Sequence, residues 1–458
     1  MENEIKQQIE KQRLFFKTGF TQKVQNRINV LKELKKCILK YEKKLSLALF
    51  HDLHKSEFES YATEIGFVLE EIGYLIKNLK HWAKPQKVET PFVHFKAESN
   101  IYSEPYGHVL VIAPWNYPFQ LTFAPLAGAI AAGNVVTVKP SEFSPETTSV
   151  MNLIINEVFN NEYVNVFVGD KFVSETLLKQ KYDLIFFTGS THVGRIVMKA
   201  AAEFLTPVVL ELGGKSPCIV AEDAALDYAA KRIAWGKFLN AGQTCVAPDY
   251  VLVHESVENV FLQKMKENIQ EFYTYKAQKS PDYPRIINKQ NFLRLVKLME
   301  GTEIFYGGKC LEEELFIEPT ILRNVTPNAA VMQQEIFGPI LPVITYNELD
   351  KAIEFINNGE KPLALYLFTG SKATENKIIE NVSFGGGCIN ETVMHLANNN
   401  LPFGGVGASG MGAYHGKYSF DAFSHKKAVM KKTNFFDVPL RYPPYNDLNL
   451  NLLKKVMK

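Results

Sequence analysis

Residues 238–245 read Phe-Leu-Asn-Ala-Gly-Gln-Thr-Cys, and they end in a cysteine just after an amphipathic run over 225–239. That run predicts a helix, and backbone N–H groups converging at a helix end favour the thiolate, the form that attacks carbon. Taken alone, Cys245 equally suits a small buried hydrophobic residue. Two further stretches supply partners for a nucleophile. Glu211 closes an apolar run, 207–212, directly before Gly213 and Gly214. Glycines there let a backbone or ligand come close, and a partly buried carboxylate can take a proton from water, although on the residues alone Glu211 equally suits a paired structural glutamate. Thr188, Gly189, Ser190, Thr191, His192, Val193 and Gly194 follow a second apolar run, 183–187, and open a helical pattern over 195–204. Close backbone approach and a helix N-terminus favour a pyrophosphate at Gly189, Ser190 and Gly194. Nucleophile, base and phosphate site together are the parts of covalent catalysis beside a dinucleotide.

The elements that position these residues follow from periodicity. Residues 4–80 show apolar positions at three- and four-residue intervals against a Lys/Glu face, a helical pattern whose charges read as solvated. Residues 84–103, with Pro85 and Pro91, alternate like an extended hairpin. From 107 onward apolar strand runs (107–113, 134–138, 164–168, 183–187, 207–212) alternate with helices (119–132, 144–159), the pattern of a parallel sheet covered on both faces. The fold class is α/β: a Rossmann-like dinucleotide-binding domain, a second α/β catalytic domain and a small β oligomerisation arm. The expected GxGxxG fingerprint is absent after the first strand, where Pro114-Trp115-Asn116-Tyr117-Pro118 stands instead. Lys139-Pro140-Ser141-Glu142 closes the second strand, where such folds set an acidic residue against the adenosine ribose, although strand-end charges are also commonly just solvated.

The second unit begins with strands at 217–221 and 250–254 and helices at 257–273 and 347–358, with a charged loop over 276–289. Phe368-Thr369-Gly370-Ser371 repeats the earlier tetrapeptide without its second glycine and reads as a turn. Glycine is dense from 384 to 412, and the chain after 431, with Pro439, Pro443 and Pro444, is expected to be irregular. The corresponding domain division is 1–83 with 104–210 for the dinucleotide, 211–400 for catalysis, 84–103 with 401–435 for oligomerisation and bridging, and 436–458 as a tail.

Composition bounds the reading. The 458 residues are 46% hydrophobic and 22% charged, with a net charge of +2, which makes no case for a nucleic-acid partner. The N-terminus is charged from its second residue, and no apolar run reaches the roughly 18 to 20 residues of a membrane span. Cys37, Cys218, Cys245, Cys310 and Cys388 lack CxxC or Cys/His ligand spacing, so reduced thiols, no metal and a cytoplasmic location are expected.

In order along the chain, PWNYP, FTGS, Glu211-Leu-Gly-Gly-Lys215, FLNAGQTC, Glu335-Ile-Phe-Gly-Pro339 and Pro402-Phe-Gly-Gly405 resemble the motif set of the aldehyde dehydrogenase superfamily. The compact chain looks like its class 3 branch, for fatty and aromatic aldehydes. The resemblance implies an NAD(P)-dependent oxidation of aldehydes to carboxylic acids in which Cys245 is the nucleophile, Glu211 the base and Asn116 a donor to the oxyanion. It implies Lys139 and Glu142 on the adenosine ribose, and Glu335 and Phe337 at the nicotinamide ribose and ring. Glu142 favours NAD, and NADP is also accepted in that branch. The 84–103 arm implies a homodimer. Phe403 suits either the wall of the substrate route or simple packing in its glycine-rich turn and is not counted as catalytic, and Tyr414 and His415 match a C-terminal class 3 segment without a role following for His415. The alternatives are an acylating dehydrogenase that hands its thioester to coenzyme A, against which Glu211 argues, and an idle scaffold on the same fold.

Overall fold

The apolar runs between Gly107 and Leu212 hydrogen-bond as one parallel sheet in a computed structural model that describes residues 2–457. Its order is Val208–Glu211, Leu184–Thr188, His108–Ile112, Val135–Lys139, Val164–Val166. The three central strands are buried along their whole length, which is why they are near-continuous in Val, Ile, Leu and Phe. The helix Gln120–Ala132 is buried at every position, because the N-terminal helices Val24–Leu53 and Gly66–Trp82 pack over it. Between those two helices the chain makes a π-helical turn, Tyr61–Ile65. The charged residues Lys55, Glu59 and Glu64 in this region are buried, so the expectation of a uniformly solvated charged face fails here.

A seven-stranded sheet forms the second unit, in the order Glu303–Tyr306, Thr320–Arg323, Ile340–Tyr346, Tyr250–His254, Pro217–Val220, Ala364–Phe368, Gly386–Ile389, parallel except at the first pair. Sequence periodicity locates two of these strands. Ala364–Phe368 leads through the Thr369-Gly370 turn into the helix Lys372–Asn381, capped by Ser371. Asp223 accepts from Thr369 Oγ1 at 2.8 Å and Gly370 N at 3.1 Å, so a carboxylate of the protein already occupies the place an anion would take.

Gln86–Val88, Ala97–Pro105 and Ser424–Lys432 form a separate antiparallel arm, so the hairpin expected over 84–103 gains a third strand from near the C-terminus. The tail departs from the irregular chain expected over 436–458. A helix runs over Asp447–Val456, capped by Asn446, and the prolines lie only on its approach. No helix among the described residues is long and apolar enough to cross a membrane.

The glycine-dense segment returns to the first sheet, where Gly410–Met411 pairs antiparallel with Val208–Glu211 and the Leu212 amide donates to the Ser409 carbonyl at 3.1 Å. Gly410 has φ +142°, and a Cβ there would fall on the Leu210 carbonyl. Gly410→Ala is therefore expected to cost about 1–3 kcal/mol of stability and to speed hydrogen exchange at the Leu212 amide. Native exchange at that amide would show that the edge strand does not hold Glu211 in place.

Candidate active site

The helix Leu226–Phe238 stops before the cysteine, and the chain then turns through three left-handed residues, Asn240 (φ 51°), Ala241 (φ 51°) and Gly242 (φ 73°). Gly242 lies so close to the Gly338 carbonyl that a Cβ has no room. Cys245 therefore follows the carboxyl end of a helix, and the expectation that helix-end N–H groups favour its thiolate is not met. Burial, with Glu335 and Glu211 adding to it, pushes the thiol up to about 12, while the amides of Cys245 and Val246 act the other way.

Cys245 lines a cleft of about 530 Å³ between the two sheets, together with Asn116, Gly189, Ser190, Glu211, Glu335 and Phe337. Glu211 comes from the end of its strand, buried, with no hydrogen-bond partner on either carboxylate oxygen. Burial alone raises its pKa well above the ordinary carboxylate value. Glu335 presses against the Cα of Gly213, where a Cβ would collide with its carboxylate. Its Oε1 has no partner, and burial, then Asp249, raise its pKa to about 8 against the Gly214 amide, Lys215 and Arg294. Asn116 is buried, and its Nδ2 donates to the Gln243 carbonyl at 3.0 Å, which ties it to the loop before Cys245. Phe337 sits at φ 51° with its ring edge-on to Trp115, 5.4 Å between centres.

Ser190 caps the helix Thr191–Ala202 by accepting from Val193 N at 3.3 Å, and Thr191 and His192 at its first turn line the cleft. Gly194 does not line it. A Cβ on Gly194 would meet the Leu212 side chain, so this glycine lets the start of the helix pack close to the strand end. Lys139 and Glu142 stand outside the cleft at the end of the strand Val135–Lys139. Lys139 is buried and donates to Glu142 at 3.2 Å, and Glu142 lines a smaller hollow of about 270 Å³ with Gly169.

On its other side Cys245 lines a cavity of about 410 Å³, whose wall includes Phe58, Phe67, Trp235, Val393 and Leu396 and contains no Asp, Glu, Lys or Arg. Leu121, Phe403 and Tyr414 join Cys245 in lining both spaces. His415 lies in the apolar wall, stacked on Tyr414 with ring centres 4.0 Å apart, and burial lowers its pKa to about 3, so it is neutral. Among the described residues no group of three or more His, Cys, Asp or Glu is placed to hold a metal.

Sequence motifs did not single out the residues that brace the cleft. Arg294 donates to the carbonyls of Glu335 at 3.3 Å and Ile336 at 2.6 Å. Asp249 accepts from Ile336 N at 2.9 Å and pairs with Lys215, whose Nζ also donates to the Gln334 carbonyl at 2.9 Å. Lys215 stands in a motif already noticed; nothing local marks Arg294 or Asp249.

A model of the Aldehyde dehydrogenase family matches residues 1–429. The chain is 50% identical over 445 residues to 4,4'-diaponeurosporen-aldehyde dehydrogenase of Staphylococcus aureus, with 97% of each covered. It is 46% identical over 444 residues to the dimeric NADP-preferring aldehyde dehydrogenase of Canis lupus familiaris, covering 96% of this chain and 98% of that one. The fold superposes on the substrate-bound state of Staphylococcus aureus AldH with a TM-score of 0.97 at 49% identity over 99% of both chains. P. syringae indole-3-acetaldehyde dehydrogenase, in complex with NAD+, superposes with a TM-score of 0.86 at 26% identity, covering 94% of this chain and 89% of that one. With family model, relatives and fold agreeing over nearly the whole length, this chain belongs to the aldehyde dehydrogenase family and is an NAD(P)-dependent enzyme that oxidises aldehydes.

Proposed function

We propose that the enzyme takes apolar aldehydes, medium- or long-chain aliphatic or aromatic, and releases the carboxylic acids through a thioester on Cys245. The observation that carries this reading is the place of Cys245, which lines both a cleft with polar walls and a cavity without charged side chains. An alkyl or aryl tail gains about 25 cal/mol for each Å² it buries in such a cavity, and a charged tail finds no partner.

The residues of the cleft fit a dinucleotide. Glu335 Oε1 is buried without a partner and lines the cleft, and the helix Thr191–Ala202 turns its N-terminus to it. Glu335 and Phe337 would hold the nicotinamide ribose and ring, Gly189 and Ser190 the pyrophosphate, and Lys139 with Glu142 the adenosine ribose. Gly194 would let the helix start come close to that pyrophosphate. When bound, the nicotinamide supplies the hydride acceptor.

The remaining chemistry belongs to the protein. Cys245 reacts as its thiolate, its proton passing to water. The sulfur adds to the aldehyde carbon, the C=O π pair moves to the oxygen, which takes up negative charge, and loss of hydride from that carbon to a bound nicotinamide would then leave the thioester. Asn116 spends one amide N–H on the Gln243 carbonyl, which leaves its second for that oxygen, beside the N–H of Cys245. Water then attacks the thioester: Glu211 takes a proton from it, the C–S bond breaks, and the acid leaves with Cys245 restored. Only the deprotonated form of Glu211 can do this. Its raised pKa moves the rising limb of the hydrolysis step above the ordinary carboxylate value of about 4.3, so that step quickens as pH increases.

The arm strand Ser424–Lys432 is exposed over most of its length, which supports a homodimer formed through the arm. A sedimentation mass near the monomer's 51.9 kDa at dilution would exclude it. Five free cysteines support a cytoplasmic location.

Glu211→Gln is expected to keep the first hydride transfer and lose hydrolysis, by about a hundredfold to ten-thousandfold. One equivalent of NADH per site should appear in a burst, with an acyl adduct in the intact mass that is missing when Cys245→Ser is added. Native turnover in the variant rules out Glu211 as the base, and acyl-CoA formed by the native enzyme with coenzyme A present rules out water as its acceptor.

Glu142 sets the expected coenzyme preference, because its carboxylate accepts from ribose hydroxyls and repels a 2′-phosphate, so kcat/KM should be higher with NAD. Glu142→Gln should shift the ratio toward NADP. A native preference for NADP, or a ratio unmoved by the substitution, places Glu142 away from the ribose.

A further inference from the structure

Below the site the N-terminal helices bury a charged pair that the chemistry above does not use. Lys55 and Glu64 are both fully buried. Lys55 Nζ donates to Glu64 Oε1 at 2.5 Å and to the main-chain carbonyl of Asn116 at 3.1 Å, and lies 4.0 Å from the centre of the Tyr117 ring. The other carboxylate oxygen of Glu64 accepts from the amides of Phe119 at 2.9 Å and Gln120 at 3.3 Å, at the start of the helix Gln120–Ala132. The stretch from Asn116 to Gln120 is thus held at both ends by one ion pair.

The same carbonyl of Asn116 accepts from Asn240 Nδ2 at 2.7 Å, and Asn240 Nδ2 also reaches the Gln243 carbonyl at 3.2 Å. That Gln243 carbonyl is the acceptor of the Asn116 side chain. One connected set of bonds therefore joins the N-terminal helices, the Asn116 loop and the loop before Cys245. Apolar residues of similar volume often stabilise such a spot as well as an ion pair does. They cannot hydrogen-bond a carbonyl and two amides in set directions. Glu64 also stands in the π-helical turn Tyr61–Ile65, a distortion frequent at functional sites.

We propose that the Lys55–Glu64 pair positions the oxyanion site: it fixes the main chain of Asn116 against the Gln243 carbonyl and so aims the remaining Asn116 amide N–H relative to the Cys245 sulfur. This rests on the roles given to Asn116 and Cys245 above. Neither Lys55 nor Glu64 lines the cleft or the apolar cavity, so both act through the 116–120 segment they hold.

The test uses the full-length enzyme. Lys55→Met alone strands Glu64 as an uncompensated buried charge, so the main variant pairs it with Glu64→Gln, which keeps an acceptor for the Phe119 and Gln120 amides. Lys55→Arg, which retains the charge but shifts its donors from the carbonyl, is the second probe in a background that preserves the pair. The readouts are NAD affinity, the first-turnover rate of NADH formation, and the affinity of an alkyl trifluoromethyl ketone relative to the matching alkane. Only the ketone forms an oxyanion on Cys245. NAD affinity should stay within about twofold, while the first-turnover rate and the ketone's advantage each fall by about ten- to hundredfold. The arginine variant should show a smaller loss of the same two quantities. Adding Asn116→Ala to the paired variant should cost little more, because both changes remove one function. A native ketone advantage in the folded variants, or full additivity with Asn116→Ala, overturns the proposal. Asn116→Ala measured alone keeps the two readings apart: if it too retains the ketone's advantage, the oxyanion role of Asn116 fails, and if only it loses that advantage, the positioning role fails.

Discussion

Two carboxylates and a thiol share a buried space, and the rest of the molecule has to hold them there. Burying a polar group without a partner is costly, and Glu211 has none for either oxygen while Glu335 lacks one for Oε1. The site is bearable because each group sits on an element over-determined elsewhere. Glu211 ends a strand hydrogen-bonded on both sides, by Leu184–Thr188 and by Gly410–Met411. Glu335 belongs to a loop braced by Arg294, Asp249 and Lys215. Strongly raised proton affinities follow directly from this placement and are what allow a carboxylate to serve as a base near neutral pH.

The two sheets divide the labour around Cys245. The first turns the carboxyl ends of its strands and a capped helix N-terminus toward the cleft; the second supplies the cysteine loop and the Glu335 loop. At two points beside the cleft a Cβ has no room. Gly213 gives way to Glu335 and Gly242 to the Gly338 carbonyl, so these glycines are requirements of contact distance rather than sources of flexibility. Cys245 lies where one sulfur lines both the polar cleft and the apolar cavity.

Much of the first sheet was legible, since buried parallel strands must be apolar throughout and helices between them must be amphipathic or wholly apolar. The second sheet was less so. Ile340–Tyr346 carries Pro342 and passes for loop, and Gly386–Ile389 hides among glycines. Prolines likewise concealed the helix Asp447–Val456, because they mark only the approach to it. At Gly194 no sequence pattern signals the second demand on that glycine, the close approach of the Leu212 side chain.

Sequence by itself determined the residue types of the site, because short contiguous stretches around Asn116, Glu211, Cys245 and Glu335 carry side chains and glycines whose combination has few other uses. Tertiary structure decided how those stretches meet. The left-handed turn over Asn240, Ala241 and Gly242 sets Cys245 beyond the carboxyl end of a helix, where its thiol is held up near 12, and no local pattern announces the hand of that turn. Lys55 and Glu64 are ordinary charges in an amphipathic helical pattern until a π-helical turn and the packing of Gln120–Ala132 bury them beneath Asn116. Hydrogen bonds between residues 61 and 124 positions apart belong to the folded chain alone, since only the fold brings such donors and acceptors within 3 Å or so of one another.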